Sequence, residues 1–343
     1  MSTRPPVGAG APGRRDRPVI KEPVWKPEIP LYLYTGGLAG ASAGVGLLCA
    51  LRDEAALARR AWALALAGSL VSPALLISDL GVPARFLYML RMFKVTSPMS
   101  VGAWILAGFG ATTAPAAAHA LTGGALGRPG RLAQFAAATL GLPLSSYTGA
   151  LLANTAVPAW HDARRELPFL FCAGAAASSG AALTALSPVG AAAPARRLAV
   201  GGAAAELAVS ALMERRLSRR GTGGAYHEPS VQRLVYAATG LTAAGATVIA
   251  ARGARSRAAA IAGGALVSAG AVGERWAVFL AGRRSAARAR DTVAPQRARI
   301  ERGGSRGAAR RVARVEAPPR PADDRRPGER PVGPGSPAIP PGA

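Results

Sequence analysis

The sequence predicts an all-α, polytopic membrane protein: eight transmembrane helices packed as bundles, flanked by basic tails. Three observations predict it. Half of the residues are hydrophobic, yet the chain carries a formal charge of +24. The charges lie mainly in the tails and in the gaps between apolar blocks. Eight of those blocks meet or approach the ~20 apolar residues a helix needs to cross a hydrocarbon core of about 30 Å.

The blocks are Leu31–Leu51, Ala61–Leu80, Met99–Leu121, Leu132–Val157, Leu167–Leu186, Leu198–Met213, Leu234–Ala251 and Ala258–Leu280. The sixth and seventh are short and are expected to borrow flanking residues or to tilt. Alanine takes the place of leucine in the spans, and arginine fills the tails, so mean hydropathy is only +0.20. Gly36, Gly37, Gly40, Gly44 and Gly46 line the first span, a density that permits close helix approach. A composition rich in glycine and alanine throughout scatters such residues anyway, so they are not read as a specific dimer motif.

Residues 1–30 read as a disordered N-terminal tail, 31–281 as the eight-helix domain, and 282–343 as a disordered Arg/Pro-rich tail. Within the last, Thr292–Ile300 is the piece expected to dock on something. Trp25, Tyr32 and Tyr34 mark the approach to the bilayer, because aromatic rings favour the headgroup level. The first thirty residues hold no apolar run, so no cleavable signal peptide is expected. Eight spans put both termini on one side of an inner (plasma) membrane. The loops carry ten Lys and Arg on each side, and the tails tip the balance toward a cytoplasmic placement of the termini.

The charge excess does not imply nucleic acid, since it orients spans rather than forming one basic face. Cys49 and Cys172 each stand alone in an apolar block and suggest neither a metal site nor a disulfide. A haem held by two histidines needs both on facing apolar helices. Of His119, His161 and His227 only His119 lies near a span, so no haem is expected. Walker loops and HExxH are absent from the sequence.

The stretch Ile77–Gly102 looks least like membrane filler. It holds Asp79, Arg85, Arg91, Lys94, two prolines and an aromatic–methionine surface. It reads as a helix end, a turn, a short amphipathic helix at the membrane surface, and a second turn. Asp79 is either a hydrated interfacial carboxylate or a proton acceptor. Glu206 is the sharpest anomaly: a carboxylate at mid-bilayer costs roughly 2.5–3.5 kcal/mol on insertion scales, so it must find a partner or a proton. It reads equally as a proton relay and as a hydrogen-bonded structural group. Glu274 is a weaker relay candidate. Its neighbour Arg275 sits about 100° around the helix, is not expected to face it, and is expected to snorkel outward. In the fourth span Tyr147 and Asn154 are seven residues apart on one face, fit either for bonds between helices or for a ligand carbonyl.

Three runs resemble one family. Ser78–Leu106 (SDLGVPARFLYMLRMFKVTSPMSVGAWIL) is similar to the signature between helices two and three of the NrfD/PsrC, polysulfide-reductase-type membrane subunits. Pro30–Gly44 resembles that family's first helix, and Ser146–Phe169 its fourth helix and following corner. The resemblance covers about Trp25 to Leu280. The family often carries a histidine before the aspartate and an arginine after the glycine; here Ser78 and Val82 stand there.

The resemblance implies a subunit without cofactors that binds menaquinone or ubiquinone and passes electrons to a ferredoxin-like iron–sulfur subunit serving a molybdopterin catalytic subunit. It implies a quinone pocket near Tyr34, Thr35, Asp79, Tyr147 and Asn154. Asp79, Glu206 and Glu274 would move protons, and Arg85, Arg91, Lys94 and His161 would meet a partner or lipid. The alternative from the residues alone is a multi-pass transporter or channel with Glu206 in the translocation path.

Overall fold

A computed structural model describes residues 20–220 and 223–288, with 291, 293, 300 and 303. The N-terminal tail before residue 20, most of Thr292–Ile300 and the rest of the C-terminal tail lie outside the described residues. Among the described residues every regular element is helical. Eight long helices follow the eight apolar blocks: α1 (Glu28–Ala50), α2 (Ala55–Asp79), α4 (Pro98–Leu121), α5 (Gly127–Ala153), α7 (Leu167–Leu186), α8 (Ala193–Arg220), α9 (Pro229–Arg252) and α10 (Arg257–Ala287). Two short helices, α3 (Arg85–Met89) and α6 (Pro158–Asp162), lie in the second and fourth long connections.

Six of the long helices are long and apolar enough to cross a membrane. The two outside that set are α8 and α10, and the reason is chemical. Glu206 with the Arg215–Arg220 end dilutes α8, while Glu274, Arg275, Arg283 and Arg284 dilute α10. Backbone hydrogen bonding does not stop where the apolar run stops, so α8 starts five residues before Leu198 and runs on to Arg220. Likewise α10 continues past the expected boundary at 281 to Ala287.

The helices pack as two antiparallel groups. In the first, α1 packs on α2 and α5, and α4 packs on α2 and α5; in the second, α7 packs on α8 and α10, and α9 on α10. The groups meet where α7 lies against α1 and α5. Glycine sets the spacing at the centre. Gly40 of α1 and Gly141 of α5 face each other so closely that a methyl on either would overlap the other's carbonyl oxygen. Ser145 donates back to Gly141 O at 2.9 Å. Among the first span's glycines, Gly44 faces open space, so the run is only partly an interface. Pro73, Pro115 and Pro143 sit inside α2, α4 and α5, as spans permit when neighbours re-satisfy the backbone.

Counting turns from α1, the start of α1, the end of α2, the start of α4, the end of α5, the start of α7, the end of α8, the start of α9 and the end of α10 share one end of the bundle. We call it the terminal end. It is fastened by side chains. Trp25 stacks on Trp160, ring centroids 5.5 Å apart. Trp160 Nε1 donates to Val278 O at 2.7 Å, and the Trp160 ring occupies the space a side chain at Gly282 would need. Arg216 bridges from α8 to Glu166 and to Asp162 O, and Arg288 pairs with Glu228 at 2.8 Å.

The amphipathic surface helix expected between the second and third spans is shorter than its apolar spacing suggested. Only Arg85–Met89 is helical; Leu90 closes it and a turn returns the chain to α4. Ser100 Oγ donates to Met92 O at 3.0 Å and accepts from Lys94 N at 3.1 Å, and these bonds replace the helical pattern beyond Leu90.

Candidate functional site

Two polar features stand inside the apolar bundle, one in each helix group. The first is a cavity at the terminal end. Its walls come from the segment before α1 and from α1, α2, α3, α4 and α5. Asp79 and Tyr147 line it with Tyr32; the rest of the wall is almost wholly apolar, including Trp25, Leu76, Met89, Met99 and Leu152.

Each polar wall residue is held by its own element. Asp79 is the last residue of α2, where Leu80 caps the helix and Gly81, at φ 69°, turns the chain away. Its Oδ1 accepts the backbone N–H of Lys26 at 2.8 Å, and Lys26 Nζ reaches Ser78 O at 3.4 Å. Tyr147 projects from α5 over Gly102 of α4; a Cβ at Gly102 would lie within the phenol ring. Tyr32 is buried on α1, where Ile29 and Leu33 flank it on the same wall.

The other residues named from sequence stand elsewhere. Tyr34 is half-buried on α1 and is not part of this wall. Thr35 donates to Leu31 O at 2.9 Å and accepts from Ser72 Oγ at 2.9 Å, a bond between α1 and α2. Asn154 is exposed just past the end of α5, and its amide turns back to Ala150 O at 2.8 Å. Sequence spacing missed Tyr32. Tyr32 and Tyr34 lie on different faces of α1, and only the position of α4 and α5 decides which face meets the cavity. Arg85, Arg91, Lys94 and His161 are all exposed, with Leu87, Tyr88, Met92, Phe93 and Val95 exposed among the three bases.

The second feature is a charge cluster between α7, α8 and α10. Arg275 is not turned outward as expected: it is 1 % exposed. Its Nη1 bonds Glu206 Oε1 at 3.2 Å and lies 3.6 Å from Glu274 Oε2. Its Nη2 donates to Phe171 O at 3.0 Å, and the guanidinium lies over the Phe171 ring, 5.0 Å from its centroid. The adjacent Glu274 and Arg275 do meet, because a long guanidinium folds back along its own helix to Ala271 O at 3.1 Å and passes its neighbour's carboxylate. Room for the cluster comes from Gly174 of α7, where any side chain would collide with Glu206 and Arg275. The signal available in sequence was the pairing itself. Glu206 and Arg275 are opposite charges in otherwise apolar blocks, and burying either alone costs far more than burying both.

His119 packs at the far end of α4 against Gly130, whereas His161 and His227 belong to the terminal end. Among the described residues no group of three or more His, Cys, Asp or Glu is placed to hold a metal ion.

No curated protein matches the chain. The family described as NrfD_2, polysulfide reductase, matches residues 20–289, which takes in all eight long helices and both polar features. The chain is therefore a multi-pass membrane protein that belongs to the NrfD-type polysulfide reductase family, a membrane subunit of the molybdopterin-oxidoreductase kind.

Proposed function

We propose that the protein is the quinone-binding membrane anchor of a molybdopterin oxidoreductase complex. It passes electrons between the quinone pool of the plasma membrane and a ferredoxin-like iron–sulfur partner, which serves a molybdopterin catalytic subunit. One observation carries this reading: Asp79 and Tyr147 stand in one apolar cavity at the terminal end.

The chemistry fits menaquinone or ubiquinone. A quinone headgroup is a flat apolar ring with two opposed carbonyl oxygens. Apolar walls with a few placed polar groups suit such a ligand. A tyrosine O–H donates to a carbonyl oxygen of the oxidised ring. A carboxylate accepts the hydroxyl proton of the reduced ring. Oxidising one quinol releases two electrons and two protons; the electrons leave to the partner, and Asp79, half-buried at the rim, accepts the two protons in turn and passes each to solvent. In this reading the protein supplies position and proton exchange and has no redox centre of its own.

The terminal end also suits a partner. Arg85, Arg91 and Lys94 stand exposed beside the cavity wall formed by Met89, and His161 is exposed on α6. These groups would meet acidic side chains of the iron–sulfur subunit or phospholipid headgroups.

The test is quinol-dependent turnover of the purified complex, with extraction of bound quinone. Tyr147→Phe and Asp79→Asn should each lower turnover at least about tenfold, the size of one general-acid or general-base contribution or less. Full turnover in both variants would show that the ring binds elsewhere.

A further inference from the structure

The Glu206–Arg275–Glu274 cluster is not part of the cavity just described, and its charges do not balance. Two carboxylates share one guanidinium nitrogen, at 3.2 and 3.6 Å. Glu206 is 2 % exposed. With both carboxylates ionised the cluster would hold a net negative charge with Glu206 cut off from water and only Glu274 at a cavity wall, an arrangement buried polar networks avoid. One proton shared between the two carboxylates makes it neutral. Oε2 of Glu206 and Oε2 of Glu274 each lack a hydrogen-bond partner in the protein, the latter lying 3.6 Å from Arg275 Nη1, just beyond hydrogen-bond range. No other charged group faces the cluster from α7, which offers only Gly174, the Phe171 carbonyl and its ring.

A second cavity leads to it. A narrow cavity lies between α8, α9 and α10 at the terminal end, with Glu274 in its wall. Ser210, one helical turn beyond Glu206, and Thr239 line its sides; Glu214 and His227 stand toward the terminal end. Tyr226, in the connection before α9, is 9 % exposed, and its hydroxyl has no partner in the protein. Burial, with the Glu274 charge second, pushes its phenol up, so it stays neutral and able to donate. The wall is mostly apolar, but the Tyr226 hydroxyl and Glu274 Oε2 leave two unmet hydrogen-bonding atoms on it, and such groups are where a buried water is held.

Beyond the cluster, toward the opposite end, the packing is closed. Ala177, Ala199, Ala203, Ile249 and Val267 form one buried apolar seam. There a methyl on Gly202 would overlap the Ala177 backbone, and one on Gly245 would lie 2.7 Å from Gly263 O.

We propose that Glu206 and Glu274 form a binding site for one exchangeable proton, held beside Arg275 and supplied by water through the α8–α10 cavity from the terminal end only. The site is independent of the quinone reading. It is a dead-end proton store rather than a path for a solute across the bundle.

The experiment is infrared spectroscopy of the purified full-length protein at neutral pH, reading the C=O stretch of protonated carboxyl groups. The wild type should give a band that shifts when water is replaced by D₂O. Glu206→Gln and Glu274→Gln should each remove one carboxyl equivalent, because a single remaining carboxylate is balanced by Arg275. Arg275→Gln should add one equivalent, because both carboxyls then take protons. Should that variant not fold, the two glutamine variants still decide. Ser210→Leu, which fills the cavity, should slow the D₂O shift without removing the band. If neither glutamine variant changes the band, the cluster is a fixed ion pair and the proposal fails. A band that does not respond to D₂O would overturn the supply route.

Discussion

The backbone N–H of Lys26 donates to Oδ1 of Asp79 at 2.8 Å, tying the segment before the first span to the last residue of the second. One carboxylate thus has two tasks, as an anchor for the chain and as a wall of the cavity. The tasks separate by substitution. Asp79→Asn keeps an acceptor oxygen for Lys26 but takes up no proton at neutral pH. Asp79→Leu loses both. Turnover should fall in each, whereas limited proteolysis near residues 20–27 should accelerate only in the leucine variant. Equal protection in both would mean that this bond does not hold the segment.

Tyr147 depends on the absence of a side chain at Gly102, since a Cβ there would occupy the ring's position. Gly102→Ala should therefore displace the phenol without altering it chemically. Overpacking of this kind costs typically about 1–3 kcal/mol, so thermal unfolding should fall by several degrees. Quinol-dependent turnover should fall to the level of Tyr147→Phe. A variant with normal turnover and normal stability would place Tyr147 in another rotamer.

Arg275 should be far more sensitive to removal than an exposed arginine such as Arg85. Arg275→Met takes the cation from Glu206 and Glu274, which must then both be protonated, and breaking a buried pair from one side costs about 3–5 kcal/mol. Adding Glu206→Leu should recover part of that loss, because apolar replacement of a whole buried pair is often neutral. Detergent thermal-shift measurements on the single and double variants check this. Additive losses would mean the two groups do not interact.

Reversing the exposed bases should leave the fold intact and weaken assembly. Arg85→Glu, Arg91→Glu and Lys94→Glu together change the charge beside the Met89 wall while touching no buried group. Stability should change little, as for most surface substitutions, within about 0.5 kcal/mol at each site. Co-purification of an iron–sulfur partner should drop, most steeply at low salt, where the reversed charges are least screened. Unchanged co-purification would move the docking surface off this segment.

Much of the architecture was legible because bilayer thickness imposes a length on every span. The eight blocks read from the sequence correspond one to one with the eight long helices. Their ends were less legible. Leu198–Met213 became Ala193–Arg220, because a helix can carry its hydrogen bonds into charged flanks that no apolar count includes. Asp79 and Tyr147 could be singled out as polar groups in apolar surroundings, and they share one cavity wall. Tyr32 was hidden, since which face of α1 turns toward α5 depends on contacts between helices rather than on α1 itself. Arg275 was misread for a related reason. Its distance from the end of an apolar block suggested escape to the surface, but α10 runs on for three more turns and Gly174 opens a place for it inside.

Trp160 has a consequence for how the molecule is made. Its ring fits only over Gly282, is pinned to Val278 O, and supports Trp25, which walls the cavity of the first helix group. That cavity is shaped mainly by α1 to α5, yet its Trp25 wall leans on a ring whose hydrogen bond comes from α10. A ribosome releasing this chain into the bilayer would deliver the first half of the site long before its closing piece. Completion of the last helix is thus the step at which the site becomes fully shaped, and a truncated product would carry an open one.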